Sequence, residues 1–231
     1  MSANRHFAPL QDRTDVVDRF MVRSAWRSFY CCCNRNRCFA APATHKNNEI
    51  VWPITGLYLP IVGWWLYDNM GRPKPMYGRV ITGRQRFLTI VFVSTTHCAS
   101  GCVAGDIIGA PIVFATAWTI WGERLYAEYA VLFTHAYCLG IAFQYFPIRA
   151  TRKIEPRSAL VEAVKADTLA LTAFEAGLFA WMGVVYFFVM PRSELTSPLY
   201  WFMMQIGMVI GFIKSLPPNW LLVRSGVKLA M

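Results

Sequence analysis

The sequence predicts an all-α protein, a polytopic helical membrane bundle of about five membrane helices. Apolar residues make up 55% of its 231 residues, whereas roughly 45–50% is usual in soluble domains. Charged residues contribute only 16%, and the mean hydropathy is positive at +0.34. Several apolar stretches also approach or exceed the roughly 20 residues that a helix needs to cross a bilayer.

The chain divides into a polar part and an apolar part. Residues 1–49 are rich in arginine, and we expect a basic extension in which residues 15–30 form an amphipathic helix on the membrane surface. The run CCCNRNRC follows that helix, and Cys31, Cys32 and Cys33 are candidate acylation sites. An unmodified loop and a thiolate metal site are the alternatives. Residues 50–231 are expected to form the helical transmembrane domain.

Five apolar segments follow one another in the second part. The first, 51–67, is short and contains Pro53 and Pro60, so we expect it to be kinked or re-entrant. The next, 87–121, is long enough to cross a bilayer with residues to spare. Three more apolar segments complete the bundle, at 125–147, 159–190 and 200–213.

The positive charges indicate the topology. The chain has a net charge of +10, and the basic residues concentrate in the loops after the first, third and fifth segments. Positive charge marks the cytoplasmic side, so the C-terminus is expected there. The N-terminal part is basic too, and this fits either a re-entrant first segment or an exception to the rule. No nucleic-acid-binding motif accompanies the charge, and nucleic acid is not an expected partner.

The centre of the second segment is polar. His97, Cys98, Cys102 and Asp106 lie inside it, and an ionisable group at membrane depth costs about 2.5–3.5 kcal/mol on insertion scales and indicates a functional site. Positions four apart share a helix face, so Cys98, Cys102 and Asp106 form one stripe. A neighbouring stripe of Gly101, Gly105 and Gly109 has the small-xxx-small spacing that lets helices approach closely, and packing alone is the simpler reading of the motif.

The later segments add further soft and acidic groups, which together predict an integral membrane protein that binds or passes a soft metal ion, with copper favoured. Transport or binding is expected rather than catalysis, because no Ser-His-Asp arrangement, phosphate loop or HExxH motif is present. The predicted ligands are His97, Cys98, Cys102, His135 and Met204, and the predicted supporting or proton-accepting groups are Asp106, Asp167, Glu175, Gln144 and Gln205.

Two alternatives remain open. His97 and His135 could be the axial ligands of a b-type haem in a redox membrane protein. Otherwise the protein is a non-catalytic subunit of a larger membrane complex, and the glycine-lined faces at Gly101–Gly109 and at Gly207 and Gly211 contact protein partners.

Several motifs in order resemble one known family. They are VWPITGLY, HCASGCVAGDIIG, GIAFQYF, KADTLALTAFEAG, YWFMMQIGM and PPNWLLVRSGVK. From residue 51 onward the chain resembles the membrane family of unknown function DUF4396, whereas residues 1–49 fall outside the resemblance. The departures are small, with Ala170 where a serine is expected and no acidic residue after Lys228.

The resemblance implies a compact helical membrane domain and supplies no established activity. It also implies that the functional residues lie among the shared motif positions, which are His97, Cys98, Cys102, Asp106, Gln144, Asp167, Glu175, Met204, Gln205 and Asn219.

Overall fold

The computed structural model describes residues 48–68, 83–189 and 195–228. In these ranges the chain is helical, and its one extended pairing is an isolated bridge between Ile120 and Glu123. The predicted helical bundle is therefore confirmed. The predicted surface helix and the cysteines at 31–33 lie outside the described residues. The helices are α1 (Asn48–Tyr58), α2 (Pro60–Leu66), α3 (Gly83–Thr116), α4 (Arg124–Arg152), α5 (Pro156–Val184, continued by a π-helical turn at Val185–Val189) and α6 (Pro198–Arg224).

Four of the described helices are long and apolar enough to cross a membrane. They supply the spans Phe87–Thr116, Arg124–Arg149, Pro156–Val189 and Pro198–Arg224. The first predicted segment is different, because it is divided at Leu59 into helices of 11 and 7 residues. At about 1.5 Å of rise per residue, neither piece is long enough to cross the hydrocarbon core. The first segment is thus short and broken, as the prolines predict, and four helices are left to form the membrane bundle.

The closest contact of the bundle joins α3 to α4 through glycine. A Cβ atom on Gly105 would lie 2.3 Å from the backbone nitrogen of Ala136, and one on Gly101 would lie 2.6 Å from Cα of Gly140. Real Cβ atoms do not come this close to backbone, so only glycine fits at these positions. The second glycine edge packs in the same way, since a Cβ on Gly211 would lie 2.7 Å from the carbonyl oxygen of Phe174 on α5. Both predicted glycine faces are occupied by helices of the same chain.

Polar bonds attach the short α1 to the membrane helices. The Ser100 hydroxyl of α3 donates to the carbonyl oxygen of Val51 at 3.1 Å. Gln205 of α6 donates from Nε2 to the carbonyl oxygen of Leu57 at 2.8 Å. That carbonyl lies at the end of α1, one turn before the helix is interrupted at Pro60. Gln205, predicted to support a metal site, therefore holds the end of α1.

The two ends of the bundle have different chemistry. At one end, called here the loop end, residues 117–123 connect α3 to α4, and the exposed fractions of Trp118 and Trp121 are 60% and 87%. Exposed tryptophan is typical of a membrane–water interface. At the other end, called here the basic end, α4 finishes with Arg149 and Arg152 and is followed by Lys153.

Replacing Gly105 with alanine is expected to lower the free energy of unfolding by about 1–3 kcal/mol or more, the range for overpacked cores. The added methyl group would meet the Ala136 backbone, which cannot move without separating α3 from α4. Thermal unfolding of the detergent-purified protein measures the effect. Gly109→Ala is the matched control, because the nearest atoms there are Cδ1 and Cα of Leu132 at 3.2 and 3.3 Å, about 1 Å farther than the backbone nitrogen that faces Gly105. Equal melting temperatures for the two variants would contradict this packing.

Candidate functional site

A pair of thiols lies at the centre of α3. Cys98 and Cys102 are both 0% exposed, and their side chains lie beside one another on the same face. Their Cβ atoms, four residues apart on a helix, are separated by about 5–6 Å, whereas a disulfide needs roughly 3.5–4.5 Å. The pair therefore does not close into a disulfide while α3 stays helical, and it presents two soft donor atoms to one point of the bundle.

Carboxyl groups of α5 and a phenol of α1 surround this thiol pair. Asp167 lies beside Cys98, and Glu175 lies beside Cys102. Tyr58, which is 1% exposed, closes the site from α1 and faces both thiols. Sequence reasoning missed Tyr58, since one tyrosine in an aromatic-rich segment gives no signal of its own.

Asp167 belongs to a buried ion-pair network. Its Oδ1 atom lies 3.3 Å from Nζ of Lys228 and accepts from Nε2 of Gln144 at 3.2 Å. The same lysine donates to Oδ1 of Asn219 at 2.9 Å. The side chains of Asp167 and Lys228 are both 0% exposed. Gln144 and Asn219 thus orient an ion pair at membrane depth, where each charge alone would be costly.

A turn after α6 brings Lys228 into the bundle. Gly226 has a positive φ of 73°, and the amide of Lys228 donates to the carbonyl oxygen of Leu222 at 3.0 Å. Glycine just beyond a helix end commonly adopts this left-handed conformation and reverses the chain. The sequence carries the signal as Ser225-Gly226 after α6, but a lysine in a polar tail is ordinarily solvated, and its ion pair was not predicted.

Two further carboxyl groups are buried without such partners. Asp106 of α3 is 0% exposed and Glu175 is 1% exposed. Among the residues the structure describes, neither oxygen of Asp106 has a hydrogen-bond partner, whereas the Glu175 carboxyl meets the Cys102 thiol. A buried polar group without a partner costs free energy. Both residues were predicted as proton-accepting groups, and the structure places them in the bundle core.

The structure does not bring His135 to His97. Gly105 packs against Ala136, so His135 lies about eight residues of α3 away from His97, or roughly 12 Å along the helix axis. Ligands of one ion each lie about 2 Å from it. The Nδ1 atom of His135 instead lies 2.8 Å from the carbonyl oxygen of Val131 in its own helix.

Met204 is also distant from the thiols. The indole of Trp181 donates to the carbonyl oxygen of Met203 at 2.9 Å, which places Met204 level with Trp181. That level is six residues beyond Glu175, or about 9 Å along α5. Across the three described ranges, no group of three or more His, Cys, Asp and Glu residues is placed to hold a metal ion.

The apolar helices and the polar core define an integral membrane protein of the polytopic helical class. Residues 89–228 match the family profile described as "Domain of unknown function (DUF4396)", and the chain belongs to this family. The match confirms the resemblance and includes the thiols, the carboxyls and Lys228, whereas Tyr58 precedes it. No curated protein and no solved structure matches the chain.

Substituting Lys228 with methionine is expected to destabilise the protein by about 3–5 kcal/mol, since Asp167 is left as a buried charge without a cation. The double variant Asp167→Asn/Lys228→Met removes both charges and should recover most of that loss. Lys165→Met is the control, as this lysine is exposed on the same helix as Asp167. Unfolding in detergent measures all four proteins, and a double variant no more stable than the single one would contradict the ion pair's role.

Proposed function

We propose that this integral membrane protein binds or passes a soft metal ion, with copper in the Cu(I) state favoured, at the thiol pair Cys98 and Cys102. The observation that carries the proposal is the thiol pair itself, fully buried in a membrane-spanning helix and surrounded by polar groups. Thiolates are the protein ligands that select soft ions such as Cu(I).

The number of donors favours Cu(I) over zinc. Protein zinc sites use three or four ligands in a tetrahedral arrangement. The described residues offer no such group of His, Cys, Asp and Glu, and two thiolates are a sufficient ligand set for a monovalent soft ion. The proposed site is therefore smaller than the set predicted from sequence, and it does not depend on His97, His135 or Met204.

The neighbouring groups support ion binding by handling protons and charge. Thiols bind metal as thiolates, so binding releases protons. Glu175 lies beside Cys102, and in its ionised form it would accept that proton. Lys228, held by Asp167, lies close enough to Cys98 to offset the negative charge of a thiolate. Glu175, Asp167 and Lys228 thus support the proposal by the chemistry they place beside the thiols.

The two alternative functions have less support. A haem held by His97 and His135 requires both imidazoles at one iron, and the α3–α4 register separates them by about two turns. A purely structural role requires that the buried polar groups fix helix positions through bonds. Asp106 makes no hydrogen bond among the described residues. We also propose that the C-terminus is cytoplasmic, because the positive-inside rule assigns the basic end of the bundle to the cytoplasmic side.

Metal binding is tested with detergent-purified protein, reduced and titrated with Cu(I) against a chromophoric chelator. We expect one copper per chain in the wild type and at least about a 100-fold weaker affinity in Cys98→Ser and in Cys102→Ser, more than the roughly 10–100-fold effect of changing an outer-shell partner. Cys138→Ser is the matched control, because this thiol is exposed. Absence of copper from the wild type, or unchanged affinity in both serine variants, would overturn the proposal.

A further inference from the structure

The chain beyond α6 forms a short hook, residues 225–228, that turns back into the bundle. Residues 225–227 are exposed, whereas the side chain of Lys228 is 0% exposed. The backbone amide of Lys228 donates to the carbonyl oxygen of Leu222 at 3.0 Å and closes the turn. In this segment, a buried lysine side chain therefore holds three exposed residues against the bundle.

Three helices supply polar groups to the place where the lysine ammonium lies. Oδ1 of Asp167 on α5 lies 3.3 Å from Nζ of Lys228, and Oδ1 of Asn219 on α6 accepts from it at 2.9 Å. Nε2 of Gln144 on α4 donates to the same Asp167 oxygen at 3.2 Å. The Asn219 amide is itself fixed, because its Nδ2 donates to the carbonyl oxygen of Ser215 at 2.9 Å. Asp167, Asn219 and Gln144, called here the ammonium site, are each 0% exposed.

The ammonium site contains an oxygen that no described residue uses. Oε1 of Gln144 is buried and has no hydrogen-bond partner in the described part of the chain. It belongs to the amide group whose nitrogen contacts Asp167. Burying such an oxygen without a donor costs free energy. An ammonium group has three N–H donors, so the carboxylate and the two amide oxygens of the site match the donors of a primary ammonium ion that is free to orient.

The ammonium site lies near the end of the bundle from which the hook extends. Asn219 is five residues before Arg224, the last residue of α6, which corresponds to about 7.5 Å along the helix axis. Beyond this end, Gly226 has a positive φ of 73° and reverses the chain. Movement of residues 225–228 away from the bundle therefore removes Lys228 from the site without a change in any of the membrane helices.

From this arrangement we infer that the ammonium site binds a primary ammonium ion, and that the hook closes the site with Lys228 and leaves it when a free ammonium ion takes its place. Chain ends are poorly ordered unless specific contacts hold them, and the buried contact of the hook is the ammonium group of Lys228. A free primary ammonium ion offers the same charge and the same donors. The exchange therefore leaves the charge of the site unchanged. This inference goes beyond soft-ion binding and does not depend on it.

Chemical rescue of Lys228→Ala in detergent tests the site. The substitution removes Cγ, Cδ, Cε and Nζ, and the propylammonium ion supplies the same atoms without the tether. We expect the melting temperature of Lys228→Ala to rise with the logarithm of the propylammonium chloride concentration, as it does when a ligand binds the folded state. Tetramethylammonium chloride has the same charge and no N–H donor, so it should not have this effect. Equal effects of the two salts on Lys228→Ala would overturn the site.

Hydrogen exchange in the wild type tests whether the hook leaves the site, and it needs no variant that folds. The Lys228 amide is protected while it is bonded to Leu222. At a propylammonium concentration equal to its dissociation constant from the open site, we expect the amides of the hook to exchange about twofold faster, because mass action doubles the population of released hooks. Tetramethylammonium at the same concentration should leave the rate unchanged.

An exchange rate of the hook that does not depend on the propylammonium concentration would overturn the release of Lys228, whether or not Lys228→Ala folds. Neither measurement contains a metal ion. A failure of copper binding therefore leaves both results standing, and a failure of ammonium binding leaves the copper titration standing.

Discussion

The arrangement depends on the backbone contact between α3 and α4. At Gly101 and Gly105 there is no space for a Cβ atom, so the two helices lie together in only one register. Gly140 extends the constraint to a third helix, because a Cβ there would lie 3.0 Å from Oδ2 of Asp167 on α5. The glycines on α3 and α4 therefore determine the position of the thiol pair relative to its carboxyl neighbours, although no glycine takes part in the chemistry.

The buried carboxyl groups are of two kinds, those paired with a cation and those that are not, and burying an unpaired charge is the more costly. Asp167 is matched by Lys228 and Gln144, and its network also ties the chain end to α5. Asp106 and Glu175 have no such match among the described residues. Removing one partner of a matched pair leaves a costly buried charge, and an unmatched buried group lowers the stability of the bundle as it stands. The thiol pair lies between the two kinds, with Cys98 beside the matched carboxyl and Cys102 beside an unmatched one.

Helix positions and the faces of α3 could be predicted from sequence because both depend on local periodicity. Cys98, Cys102 and Asp106 lie four apart, and all are buried as the stripe predicts. Which side chains of different helices lie close together could not be predicted in the same way. His135 and Met204 are on the expected helices, but their level along the axis depends on glycine contacts whose register one sequence does not specify. Lys228 depends on the chain reversal at Gly226, and Tyr58 on how α1 packs across α3.

The two ends of the bundle differ in their charge, and this difference bears on how cations reach the centre. On the basic-end side, Arg149 and Arg152 at the end of α4, followed by Lys153, present positive charge. On the loop-end side, Glu128, Asp106 and Glu175 present carboxyl groups. A cation that approached the thiols from the first side would meet repulsion from these charges, and in the low dielectric of the bundle this repulsion is stronger than in water. For the soft ion proposed above, the loop end is therefore the approach with less electrostatic repulsion than the basic end.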